Sequence, residues 1–172
     1  MLPTRRLDLI PATLEHLAAE LQVPSALGPL IGVPIPEAWP PGEYDRHAIE
    51  YFHKQLQAGG PPLVGWYAWY AVSRNAAGQR EALVASAGYF GPPAGGVVEI
   101  GYSVLPSARG QGYATEIVQA LVQLAFQHPE VQEVLAHTSD TNIGSTKVLL
   151  RSGFKRVGLD PEREAIQYRL GR

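Results

Sequence analysis

Six consecutive residues, Arg109-Gly110-Gln111-Gly112-Tyr113-Ala114, set two glycines and an arginine directly ahead of a segment with helical periodicity. Glycines there let the backbone turn sharply and present successive N–H groups at a helix start. The orphan donors and the helix dipole at such a start favour an anion. The chemistry this permits is capture of a phosphate, and the expected ligand is the pyrophosphate of a cofactor. Two other phosphate-binding turns do not fit. A Gly-x-Gly-x-x-Gly dinucleotide turn needs a third glycine where Thr115 stands, and a P-loop needs a Gly-Lys-Ser/Thr run that is absent. The same six residues would also serve as an ordinary capped strand–helix turn, so their surroundings decide.

Those surroundings supply a strand to deliver the turn and a helix to receive it. Val98 to Leu105 is an apolar strand closed by Pro106. Beyond the turn, Ala114, Ile117, Val118, Leu121, Leu124 and Ala125 recur at helical spacing until Pro129. Val131 to Thr138 reads as a strand that, following a helix, lies parallel to the first. Asn142 opens a short helix ending at Gly153, and Phe154 to Gly158 and Ala165 to Leu170 are closing strands.

Upstream, Arg5 to Pro11 alternates as a first strand. Thr13 caps a helix to about Gln22, with Leu14, Leu17, Ala18 and Leu21 on its expected buried face. Pro24 to Pro41 is irregular but carries apolar residues and Trp39, so an ordered loop packed on the body is expected. Glu43 to Ala58 forms a second helix, with Ile49, Phe52 and Leu56 inward and Gly59-Gly60 at its end. Gly65 to Ser73 and Ala82 to Phe90, separated by the Asn75 to Gly78 turn, form an antiparallel hairpin. Trp66, Tyr67, Trp69 and Tyr70 serve packing, with some groove lining.

At 172 residues and 45% hydrophobic, the chain is expected to be one domain, residues 1–172, with a sizeable core. A formal charge of −2 with no basic block gives no footprint for nucleic acid or a membrane surface. No signal peptide or membrane span is evident, so a soluble cytoplasmic protein is the expectation. The absence of cysteine excludes a thiol nucleophile, a disulfide frame and a Cys-rich zinc site. Histidines 16, 47, 53 and 128 show no metal-ligand spacing, and no metal is expected.

The element order β-α-α-β-β-β-α-β-α-β-β resembles the GNAT superfamily of acetyl-CoA-dependent N-acetyltransferases. The family signature Q/R-x-x-G-x-G/A reads here Arg109-x-x-Gly112-x-Ala114, preceded by E-I-G-Y-S-V-L-P at 99–106. Asn142-x-x-Ser145-x-Lys147-Val148-Leu149 then leads into Gly153-Phe154. These blocks are similar to the RimJ/RimL-like branch, which acetylates ribosomal-protein N-termini, and to relatives acting on other amines. The resemblance implies an α/β (α+β) fold. Its central mixed, mostly antiparallel twisted sheet would have six to seven strands and four helices, with the fourth and fifth strands parallel and splayed around acetyl-CoA.

The resemblance also implies roles. The backbone of Tyr102, Ser103 and Val104 would pair with the pantetheine arm, and amides of Arg109, Gly110, Gln111, Gly112, Tyr113 and Ala114 would take the pyrophosphate. Arg109 would add a charge-assisted contact. Asn142, Ser145 and Lys147 complete the expected cofactor set, with a simple helix cap the lesser reading of Asn142. Acyl transfer to an amine needs a base, a donor for the tetrahedral oxyanion and help for the leaving thiolate. Glu99 is the first candidate base and His137 the second, against solvated and structural readings respectively. Many relatives carry an acidic tyrosine seven residues after the asparagine; here that position is Leu149, and Ser145 is the remaining candidate donor to sulfur.

Without cysteine, transfer would be direct, in a ternary complex of acetyl-CoA and an amine acceptor. The acceptor amine could belong to a protein N-terminus, an amino acid, a polyamine or a drug-like amine. The resemblance leaves a homodimer open. The competing class is a non-catalytic acyl-CoA-binding module or sensor on the same fold.

Overall fold

The computed structural model describes residues 1–172. One eight-stranded sheet runs through the chain. Its strands are β1 (Leu2–Pro3), β2 (Leu7–Pro11), β3 (Ala68–Arg74), β4 (Arg80–Tyr89), β5 (Val97–Val104), β6 (Glu133–Thr138), β7 (Lys155–Asp160) and β8 (Ala165–Gly171), in the spatial order β1-β2-β3-β4-β5-β6-β8-β7. The seven strands read from sequence are all present. The eighth is the two-residue β1, too short to leave a period of its own, which adds to the edge at β2.

The helices are α1 (Leu14–Gln22), α2 (Gly28–Ile31), α3 (Arg46–Gly59), α4 (Tyr113–Gln127) and α5 (Ile143–Arg151). The single turn α2 lies inside the irregular Pro24–Pro41 stretch, which packs on the body through Leu27, Ile31, Val33 and Trp39. Thr13 caps α1, but Leu14 is 40% exposed rather than buried, and Glu20 takes a place in the interior instead. The second long helix starts at Arg46, because Asp45 accepts from the Ala48 N–H as its cap; Glu43 therefore lies in the preceding loop.

Glu20 is a carboxylate inside an apolar core, held by three donors. The Trp39 indole donates at 2.5 Å, the Tyr44 phenol at 2.9 Å and the Tyr70 phenol at 2.8 Å. Burial raises its pKa above the ordinary glutamate value, and the three hydrogen bonds counteract part of that shift. The network ties α1, the irregular loop and β3 together.

The feature that positions the site is the way β5 and β6 part. They are the one parallel pair, joined through α4, and their register covers only Val97–Ile100 against Glu133–Ala136. Beyond it, β5 pairs only with β4, and His137 and Thr138 pair only with β8. The result is a fork whose apex lies between Ile100 and Ala136.

The two faces of β5 are distinct. Tyr89 donates its hydroxyl to the Leu121 carbonyl of α4 at 2.6 Å, so its register partner Ile100 shares the α4 face. Alternation puts Val98, Tyr102 and Val104 on that face and Glu99, Gly101 and Ser103 on the other.

Candidate active site

On the α4 face, a cleft of about 530 Å³ lies between β5, the turn before α4, and α5. The turn is built by backbone conformation. Gly110 (φ 75°) and Gly112 (φ 80°) occupy the left-handed region, which other residues enter at a cost. Gly112 is the N-cap of α4 and offers no side chain to it, and the first intrahelical bond runs from the Glu116 N–H to the Gly112 carbonyl. The N–H groups from Gly110 to Thr115 are used by no other group in the chain. A cradle of free donors at a fifteen-residue helix is therefore present.

Two side chains of the turn fold back on the body. Arg109 Nε donates to the Val104 carbonyl at 3.2 Å, and Gln111 Nε2 to the Ser107 carbonyl at 3.3 Å. The turn is also held from beneath by a residue that carries no motif. Arg6 NH1 donates to the Gln111 carbonyl at 2.8 Å, its guanidinium lies 4.6 Å from the centre of the Tyr113 ring, and its Nε pairs with Glu116 at 2.8 Å.

Backbone alternation settles which part of β5 is free. The Phe90 N–H donates to the Glu99 carbonyl at 3.0 Å, and the Leu105 N–H to the Val84 carbonyl at 2.9 Å. In an antiparallel pair the bonded residues alternate, so Glu99, Gly101, Ser103 and Leu105 commit their backbone to β4. Tyr102 and Val104 direct theirs to the side that β6 has left. Ser103 is therefore set apart from the other two strand residues expected to meet a cofactor, and its side chain lines the opposite face.

The far wall of the cleft is α5. Asn142 is its N-cap, accepting the Ser145 N–H at 3.0 Å through Oδ1, which leaves its amide NH₂ to donate elsewhere. Lys147 and Arg151, one turn apart, both line the cleft and bring positive charge to it. Arg151 carries no motif; its i+4 spacing from Lys147 is the signal that could have found it. Ser145 Oγ lies 2.8 Å from the Tyr102 hydroxyl. Leu149 is fully buried and forms no part of the cleft wall.

On the opposite face, at the apex of the fork, the two candidate bases meet. His137 Nδ1 is 2.8 Å from Glu99 Oε1, with side chains 10% and 14% exposed. The other ring nitrogen, Nε2, lies 3.3 Å from Asp160 Oδ2 and 3.3 Å from Gln167 Nε2. Arg163, from the β7–β8 turn, pairs with Glu99. His137 thus stands between two carboxylates, and Glu99 between the imidazole and a guanidinium, in one connected cluster. Neither Asp160 nor Arg163 is marked by sequence, since both depend on how β7 and β8 lie across the fork.

The same face carries a smaller pocket of about 80 Å³, walled by Tyr44, Phe52, Phe90, Gly101 and Ser103, with Glu43 at its rim. Tyr102 is the one residue that lines both this pocket and the cleft. No group of three or more His, Asp or Glu side chains is arranged to hold a metal ion, and no helix is long and apolar enough to cross a membrane.

Residues 6–155 match the family model of the acetyltransferase (GNAT) domain. The chain belongs to the GNAT family. It is 30% identical over 117 residues to the Bacillus subtilis uncharacterized N-acetyltransferase YjdG, a match covering 67% of this chain and 66% of that protein. The GNAT fold is also that of Mycobacterium smegmatis RimJ, solved in complex with CoA-disulfide (TM-score 0.64, 19% identity, 98% of this chain and 85% of that one). The aminoglycoside acetyltransferase AAC(6')-Ib, solved with ribostamycin and coenzyme A, is similar in the same way (TM-score 0.61, 21% identity, 96% and 93% of the two chains). Within the GNAT fold, the fork between β5 and β6 and the glycine turn before α4 are the parts that define this chain's cleft.

Proposed function

We propose that this GNAT protein is an acetyl-CoA-dependent N-acetyltransferase that moves an acetyl group directly to a primary amine. One observation carries the reading: a cradle of free N–H donors runs, along a free strand edge, to a carboxylate–imidazole pair at the apex of a fork. An elongated, amide-bearing thioester with a pyrophosphate fits those features in that order. The N–H groups from Gly110 to Thr115 suit the pyrophosphate, with Lys147 and Arg151 facing it from α5. The Tyr102 backbone and the Val104 N–H suit the amides of the arm, as a neighbouring strand would, with the Asn142 NH₂ a further donor; the Val104 carbonyl already accepts from Arg109. RimJ was solved with CoA-disulfide and AAC(6')-Ib with coenzyme A, which supports the choice of ligand.

The chain's own groups then divide the work. Glu99, with His137 against it, takes the proton of the acceptor amine, directly or through one water. The amine nitrogen attacks the thioester carbonyl, the C–S bond breaks, and sulfur leaves with the electron pair. No covalent enzyme intermediate is needed, and no cysteine is present to form one.

The acceptor is a monoamine on a compact apolar body, whether at a protein N-terminus or on a small molecule. The pocket beside the apex is narrow, with more hydrophobic than polar residues in its wall, and Glu43 is its single lining carboxylate. A polycation would call for several.

The test is thiol release from acetyl-CoA with a panel of amines, comparing wild type with Glu99→Gln and His137→Ala. Amine-dependent release that both substitutions depress supports the reading. Tight coenzyme A binding with no turnover on any amine would replace it with an acyl-CoA-binding module.

A further inference from the structure

The family reading leaves a vacancy where many relatives carry an acidic tyrosine, because Leu149 is buried in the core. A phenol reaches both the cleft and the neighbouring pocket from the strand instead. Tyr102 is the one residue that lines both the cleft and the acceptor pocket, and its hydroxyl lies 2.8 Å from Ser145 Oγ. We propose that Tyr102 is a positioning residue that donates to Ser145 and so aims the Ser145 hydroxyl proton at the leaving sulfur. The inference rests on the acetyltransferase reading and adds the residue that orients the Ser145 hydroxyl, the candidate donor to sulfur.

The relay takes Tyr102 as donor: of its two contacts with Ser145, the one to Oγ at 2.8 Å is shorter than the one to the backbone carbonyl at 3.4 Å. A phenol is the better donor and the poorer acceptor of the pair, and a serine hydroxyl has one proton and two lone pairs. With Tyr102 donating, the Ser145 proton is free, and no other protein side chain takes it. The open direction is the cleft. The Tyr102 backbone carbonyl and N–H face the same gap, so strand edge and phenol act on one ligand.

The phenol keeps its proton throughout. Burial pushes it up to about 12, with the hydrogen bond to Ser145 acting against that shift. Full proton transfer from such a group to a thiolate, whose free pKa is about 8.5, is uphill. The step therefore balances without it. As the C–S bond breaks, the electron pair goes to sulfur, the thiolate accepts a hydrogen bond from Ser145, and it takes its proton from water on release. The amine's proton leaves separately, through Glu99 and His137.

Two measurements test this, one with turnover and one without. In steady-state kinetics, Tyr102→Phe and Ser145→Ala each lower kcat about tenfold, leave the KM for acetyl-CoA within about twofold, and do not compound in the double variant. In an ultraviolet titration of thiolate absorbance with coenzyme A bound, the thiol of the wild-type complex ionises about one pH unit below that of either variant complex. Lys147 and Arg151 are unchanged across the set, so their charge cancels from the comparison. Effects that multiply in the double variant, or a bound thiol that titrates alike in all three proteins, overturn the proposal alone. Bound coenzyme A with a lowered thiol pKa but no turnover supports the relay while overturning the enzymatic reading. Failure of coenzyme A to bind overturns both.

Discussion

The carboxylate of Glu99 and the imidazole of His137 meet at 2.8 Å where β5 and β6 part company. Each comes from a different strand of the parallel pair: Glu99 is in register with Leu135, and His137 stands two residues further along on the same face, just past the last paired residue, Ala136. Glu99→Gln keeps the shape and removes the proton acceptor. The expected result is a fall in kcat of about 10²–10⁴, the range for losing a general base, with the KM for acetyl-CoA little changed. Because the two groups touch, Glu99→Gln and His137→Ala are expected to be non-additive in a double-mutant cycle on kcat/KM for the amine.

Arg6 holds the anion turn through the Gln111 carbonyl and Glu116. Arg6→Ala is expected to raise the KM for acetyl-CoA roughly three- to tenfold and to leave kcat near wild type, since a partly exposed tether is worth about 1 kcal/mol. Initial rates at varied acetyl-CoA check this.

The same tether sets a pH dependence. Burial alone would raise the Glu116 carboxyl, but hydrogen bonds from Thr4 and Arg6 and the Arg6 charge outweigh it and hold the group below its ordinary 4.5. A depressed folded-state pKa means the stabilisation is complete above 4.5 and is lost as pH falls through the folded value. Melting temperature against pH should therefore fall less steeply in Glu116→Gln than in wild type below 4.5. Parallel curves for the two proteins would contradict the assignment.

Gly112 sits at φ 80° in the cradle. Gly112→Ala is expected to cost about 1–2 kcal/mol in stability, a Tm drop of a few degrees for a domain this size, and to weaken coenzyme A binding by displacing the donors. Thermal melts with and without coenzyme A separate the two effects, because the variant loses part of the ligand-induced rise as well as baseline stability.

Glu20→Ala leaves the Trp39, Tyr44 and Tyr70 donors without their acceptor. A loss of about 3–5 kcal/mol is expected from the buried unpaired groups and the cavity. Tyr44 also walls the pocket proposed for the acceptor, so the KM for the amine should rise more than that for acetyl-CoA.

What the sequence made legible follows from which interactions are local. The glycine turn, the helix after it and the Asn142 cap are set by neighbouring residues, and each occupies the place its pattern implies. The fork was available only through family resemblance, because Glu99 and His137 are 38 residues apart and no periodicity records where a register ends. Arg6, Asp160 and Arg163 meet their partners across the sheet, at separations that no motif spans. Glu20 looked like one more polar residue on α1; its burial is set by donors on an irregular loop and on β3.

The central claim is that the fork supports acetyl transfer to an amine. Its most direct test follows thiol released and amide formed together in one incubation with acetyl-CoA and a compact apolar monoamine. The expected result is one thiol per acetylated amine, dependent on the amine and depressed in Glu99→Gln. Coenzyme A bound in the cleft with neither product forming, on any amine tried, would contradict it.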